Sequence, residues 1–228
     1  MIRKIKLVST ANVWVSNIRS SYKLSEDNSN AALRINGAIS TGQLSSLKGD
    51  ITVKTYLKSK EGQFEIGTSS FKVSNSRIYE FEAKGMVNNP KLWSPDEPNL
   101  YSLVVRVIKN GKVIDQNEVS IGFKEVAILS SENGNKFLLN DNPISIKSVN
   151  YVVDIEGQGQ SLSNSQYERD IKDIKKLGAN AIRVKFGLPH PYLIELCDKY
   201  GLFVLYEFPV YNTPSSILNS DAKIGRAS

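Results

Sequence analysis

In "ITVKTYL", residues 51–57, apolar and polar positions alternate. Ile51, Val53, Thr55 and Leu57 fall on one side of an extended chain, and Thr52, Lys54 and Tyr56 fall on the other. A period of two is the pattern of a half-buried β-strand. Comparable runs, rich in β-branched and aromatic residues, stand at "NVWVSNIRSSY", "AALRINGAIS", "FEIGTSSFKVS" and "RIYEFEAKGMV", spaced by Gly, Ser, Asn and Asp. "LYSLVVRVIKNGKVIDQNEVSIGF" predicts a hairpin, because Asn110-Gly111 tolerates the positive φ angles of a type I′ turn between apolar-rich flanks. Roughly six to eight such strands in about 125 residues predict an antiparallel sandwich of immunoglobulin-like size.

The pattern changes near residue 137. "FLLNDNPISIKSVNYVV" predicts a short hairpin and then a mostly apolar strand, and "IEGQGQSLSNSQ" a polar loop. In "QYERDIKDIKKLGAN" the spacing of Tyr167, Ile171, Ile174 and Leu177 predicts one apolar helical face, with Arg169, Lys172, Asp173 and Lys176 opposite. Gly178 is placed to stop this helix. "ANAIRVKF" reads as a strand, "HPYLIELCDKYG" as a second helix opened by Pro191 and ended by Gly201, and "LFVLYEF" as a further strand covered on both faces. Strand, helix, strand, helix, strand implies parallel pairing. The expected architecture is therefore mixed: an all-β immunoglobulin-like sandwich over residues 1–129, then an incomplete α/β fragment over residues 130–228. About 250 residues are typical of a closed eight-stranded α/β barrel. The segment from Phe137 is far shorter and supplies about three strands, since "SSILNSDAKIGRAS" is polar.

Composition narrows the function classes. With 40% hydrophobic and 23% charged residues the chain can build a core. The net charge of +6 is dispersed among acids, as in "ERDIKDIKK", with no basic, aromatic-interleaved stripe. That argues against nucleic acid as a partner. No segment approaches the roughly 20 apolar residues of a membrane span. The opening "MIRKIKLVSTANVWV" lacks a signal-peptide core, and compartment is left open. Cys197 is the only cysteine and His190 the only histidine. A metal cluster or a Ser/His/Asp triad therefore has little material. His190 reads as a helix-start residue, and Cys197, beside Leu193 and Leu196, as an inert core thiol. "GQGQS" does not sit between strand and helix at dinucleotide-binding spacing. No cofactor and no metal are expected.

"NPKLWSPDEPNLYSL" brackets prolines and acids between an indole and a phenol. It reads as a rigid structural corner made by Trp93, Pro95, Pro98 and Tyr101 rather than a sugar-stacking platform. "LWSPDEPNLYSL", "IGFKEVAI", "FLLNDNPISIKSVNY", "YERDIKDIKKLGANAIR" and "LIELCDKYGLFVLYEFPVYNTP", in that order across about residues 85–214, resemble glycoside hydrolase family 2, which includes β-galactosidases, β-glucuronidases and β-mannosidases.

The resemblance implies a retaining glycosidase parent acting on O-glycosyl bonds of a carbohydrate substrate with two catalytic Glu residues near the ends of the fourth and seventh barrel strands, the donor following an Asn. The one Asn-Glu pair here, Asn117-Glu118, lies in the sandwich. Both catalytic Glu are therefore expected beyond the chain end, and the chain alone is expected to be inactive. The resemblance also implies substrate-facing residues. Arg183 matches an Arg of the second strand near the catalytic carboxylates, or else serves a buried ion pair closing the barrel floor. Glu207 matches an acid ending the third strand, or is the partner of such an Arg. Asn150 matches an Asn of the first strand, serving a sugar hydroxyl or capping a strand end. Two departures put galactoside or glucuronide specificity in doubt: Phe186 stands where a His falls in those members, and Tyr206-Glu207 replaces an Asp-Glu pair. A non-catalytic sandwich module that binds a protein or glycan is the alternative. Unpaired strand edges are exposed in an incomplete barrel, so a partner filling the gap, self-association through the open barrel edge or a disordered C-terminal third is expected.

Overall fold

The computed structural model describes residues 7, 9–42, 49–73, 76–131, 134–152, 162–185 and 189–207. Seven strands come first: β1 Val13–Leu24, β2 Asn30–Thr41, β3 Gly49–Ser59, β4 Gly62–Val73, β5 Ile78–Asn88, β6 Tyr101–Lys109 and β7 Lys112–Ile121. They pair antiparallel in two sheets of order β1-β2-β5 and β4-β3-β6-β7. Leu33, Ile35 and Ile39 of one sheet and Ile51, Leu57 and Leu103 of the other belong to one core between them, so each sheet buries one face and leaves the other to water. Alternation in β3 decides which side chains enter: Ile51, Val53, Thr55 and Leu57 are all buried. The β6–β7 turn is left-handed at both central residues, with φ 50° at Asn110 and 74° at Gly111, as a type I′ turn requires.

The chain then leaves the sandwich through a small antiparallel sheet of order β10-β9-β8, built from β8 Val126–Ser131, β9 Gly134–Leu139 and β10 Asn142–Pro143. Beyond it come β11 Ser148–Val152, α1 Asn164–Lys176, β12 Ala181–Lys185, α2 Pro191–Tyr200 and β13 Phe203–Tyr206. β11, β12 and β13 are parallel and adjacent in that order. One face of this sheet carries Tyr151, Ile182 and Val184, which join Tyr167 and Ile171 of α1 and Leu193, Leu196 and Cys197 of α2 in a second core.

The helix ends follow from their residues. Ser163 accepts the Gln166 amide on its hydroxyl at 3.2 Å, an N-cap for α1. His190 caps α2 by accepting the Tyr192 amide on Nδ1 at 3.1 Å, and Pro191 takes the first helical position. Gly178 and Gly201 follow the two helices with φ of 79° and 71°. Leu177 departs from expectation: it is 78% exposed, whereas Tyr167, Ile171 and Ile174 are buried. At 3.6 residues per turn, each step of three falls about 60° short of a full turn. Two such steps, from Ile171 through Ile174, carry Leu177 off the apolar face, and it is the C-cap. Phe186, the segment after Val152 that was expected to be a polar loop and the polar residues from 208 onward lie outside the described residues.

Candidate functional site

The other face of the parallel sheet is uncovered in its upper part. Alternation places Asn150 and Val152 of β11, Arg183 of β12 and Leu205 of β13 on it, and all four are exposed. The register makes Asn150 the partner of Arg183, and Arg183 the partner of Leu205. Strands in a sheet lie about 4.8 Å apart, so the three form one row across the sheet. Glu207, two residues past Leu205, returns to the same side. Its carboxylate Oε1 accepts a hydrogen bond from Arg183 Nη2 at 2.9 Å. The structure thus brings the three sequence-predicted residues to one open face.

The Arg183–Glu207 pair is not sealed. Its side chains keep 48% and 33% of their exposure. The pairing expected of a floor-closing ion pair is present, but the burial is absent among the described residues. A pair this open contributes about 0–1 kcal/mol to stability, and its donors and acceptors stay within reach of a ligand. Asn150 makes no side-chain hydrogen bond among the described residues, leaving its amide and carbonyl available. Arg183 offers a planar fork of donors, Glu207 an acceptor and Asn150 both. That inventory suits hydroxyl groups.

Tyr206 does not belong to this face. It pairs with Val184, whose side chain lies in the helix-side core, and alternation turns Tyr206 the same way. A residue at that position points away from Arg183 and Glu207. Among the described residues, no group of three His, Cys, Asp or Glu is placed to hold a metal ion, and no helix is long and apolar enough to cross a membrane.

A second constellation was only half legible in sequence. Trp93 is 1% exposed, but it is not merely a corner of the sandwich. Its backbone N–H donates to Phe123 O at 2.7 Å, while its indole Nε1–H donates to Asp198 O, in α2, at 2.8 Å. Its ring meets Phe203 of β13 edge-on at 5.2 Å, and Phe203 meets Phe137 of β9 at 5.7 Å. Lys124 lays its ammonium 4.0 Å from the Trp93 ring centroid. Lys175 of α1 donates to Pro95 O at 2.8 Å and to Gly201 O at 3.0 Å. Burial lowers the pKa of both lysines, and Asp198, itself raised by burial, partly offsets this at Lys124. The signal sequence reading missed was Lys124, a lone cation in "IGFKEVAI" with no pattern around it.

An antiparallel sandwich joined through a short hairpin to parallel βαβ units, with polar groups collected on the open sheet face, defines a β-sandwich followed by an α/β segment. A family model described as "Glycosyl hydrolases family 2" matches residues 13–124, and one described as "Glycosyl hydrolases family 2, TIM barrel domain" matches residues 131–223. The chain belongs to glycosyl hydrolase family 2.

A Formosa agariphila protein that carries a β-glucuronidase name is 32% identical over 123 residues, covering 54% of this chain and 15% of that protein. The solved structure of a family 2 member from Bacteroides cellulosilyticus is 25% identical with a TM-score of 0.73, covering 86% of this chain and 26% of the other. That of Bacteroides uniformis β-glucuronidase 3 is 27% identical with a TM-score of 0.68, covering 87% and 23%. The chain therefore spans about a quarter of these structures' length, and less of the curated relative.

Proposed function

We propose that this chain is the immunoglobulin-like sandwich and the first barrel strands of a β-glycosidase that hydrolyses O-glycosyl bonds by a retaining two-carboxylate mechanism. In this reading the division falls near residue 130, Asn150, Arg183 and Glu207 face the sugar, and both catalytic Glu stand outside residues 1–228. The observation that carries it is the gathering of those three side chains on one open face of a parallel sheet, Glu207 just past a strand end. In α/β barrels the C-terminal ends of the strands form the active site. Relatives named as β-glucuronidases support the bond class.

The chemistry also explains why the chain alone should be silent. A retaining glycosidase needs two carboxyl groups about 5–5.5 Å apart, one to protonate the leaving oxygen and one to attack the anomeric carbon. Among the described residues, Glu207 is the one carboxylate in the row with Asn150 and Arg183, and Arg183 holds it. A single group cannot take both roles in one step. Arg183 and Asn150 would orient hydroxyls, holding the sugar where the missing pair acts.

The test uses aryl-glycosides of several sugars. The 228-residue chain is expected to release no aryl alcohol above background, and robust turnover overturns the prediction of silence. In a polypeptide that carries the complete barrel, Arg183→Ala is expected to lower kcat/KM by about 100-fold through lost electrostatic positioning. Unchanged kcat/KM removes Arg183 from the site.

A further inference from the structure

We propose that Lys124, clamped against Trp93 and Phe203, makes the sandwich a template for α2 and β13, so that it acts as a positioning residue for the strand that presents Glu207. The joint between the two bodies is built this way whether or not the chain serves glycoside hydrolysis.

The clamp starts from a fixed base. The Lys124 backbone is held at both ends by one hydroxyl: its N–H donates to Tyr22 Oη at 2.9 Å, and its carbonyl accepts from that hydroxyl at 2.9 Å. Tyr22 is itself set edge-on against Phe123 at 5.0 Å. The lysine stem therefore leaves the sandwich from a fixed point. Its ammonium ends 4.0 Å from the Trp93 ring centroid and 6.0 Å from that of Phe203. No carboxylate among the described residues forms an ion pair with it. Asp198 of α2 attracts it without forming an ion pair, and at close range it faces the negative faces of two rings, one from each body.

The receiving side is the C-terminal end of α2, where helix carbonyls concentrate partial negative charge. Asp198 O there accepts the Trp93 indole N–H. Lys175 adds a second cation and ties Pro95 O to Gly201 O. Gly201 permits the approach: a Cβ built there would stand 2.2 Å from Pro95 O. Cations from both bodies thus converge on one helix end, and the edge-on ring contacts reach Phe203, the first residue of β13. Four residues on stands Glu207, bonded to Arg183. The order of that end of the sheet is inherited from the clamp.

The test is made in the full chain with Trp14→Phe, which leaves Trp93 as the one indole, since the chain has two Trp. Lys124→Met keeps the stem and removes the charge, whereas Lys124→Arg keeps the charge over the rings. Amide exchange of α2 and β13 is expected to quicken at least about tenfold in the Met variant while β2 and β6 keep their protection. Acrylamide quenching of Trp93 should rise with it, and the Arg variant should restore both. Wild-type exchange and quenching in the Met variant would overturn the proposal. So would equal loosening by Met and Arg, which would show that stem packing, not charge, makes the joint. A second measurement needs no change at Lys124. Thermal unfolding followed by Trp93 emission and by far-ultraviolet dichroism should coincide, and two separated transitions would also overturn it.

Discussion

Asp27 stands in the turn between β1 and β2 and gathers three hydrogen bonds: from Ser25 Oγ at 2.6 Å, Ser29 Oγ at 2.8 Å and the Ser29 amide at 3.1 Å. The Ser25 hydroxyl first, then Ser29, hold its carboxyl down at about 2. An unfolded Asp titrates near 3.9, so the anion favours the folded chain. That contribution is complete above about pH 4 and is lost as pH falls from about 4 to about 2. Asp27→Asn should therefore be less stable than the parent at pH 6, with the gap closing near pH 2; urea midpoints at the two pH values measure it. Cys197 is the opposite case, fully buried among the helices, and burial pushes its thiol up to about 12. A thiolate is the reactive form, so a thiol reagent at pH 8 should leave the native chain unmodified and react once urea unfolds it. Reaction of the native chain at the unfolded rate would contradict the burial. The sequence foretold Cys197 through its apolar neighbours Leu193 and Leu196. It did not foretell Asp27, whose acidity depends on three donors that only the closed turn assembles.

At the scale of the element, two glycines with nearly the same backbone angles end the two helices. Gly178 has φ of 79° with nothing within 4 Å of an added Cβ, whereas Gly201 has φ of 71° and faces the Pro95 carbonyl. Gly178→Ala should cost about 1 kcal/mol, the conformational penalty alone. Gly201→Ala should cost at least about 2 kcal/mol more, because a backbone carbonyl cannot yield as a side chain would. Denaturant midpoints of the two variants compare them, and equal losses would mean that the joint at Pro95 is soft. Both glycines were visible in sequence as helix stops. Their difference was not, since Pro95 lies in the sandwich, far away along the chain. Leu177 shows the same limit within one helix: apolar spacing named it, but the drift of the helical repeat carried it into water.

For the whole molecule, β11 and β13 form the two borders of the parallel sheet among the described residues, and the sheet face with Val152 and Leu205 is open at 49% and 40% exposure. Unpaired strand edges are templates for further pairing. The chain is therefore expected to self-associate, seen as a sedimentation coefficient that rises with concentration; a monomer indifferent to dilution would count against it. Local pattern alone determined the strands of the sandwich, the Asn110-Gly111 turn and the two helices with their stops. Alternation, turn chemistry and helical spacing act over a few residues, and the chain carries them wherever it goes. Tertiary structure decided which distant groups meet. It set Arg183 against Glu207 without burying them, turned Tyr206 to the other face, and placed Lys124 over Trp93 at the end of α2. Such contacts arise from strand register and from the docking of one body on another, and neither is written in the residues next to them.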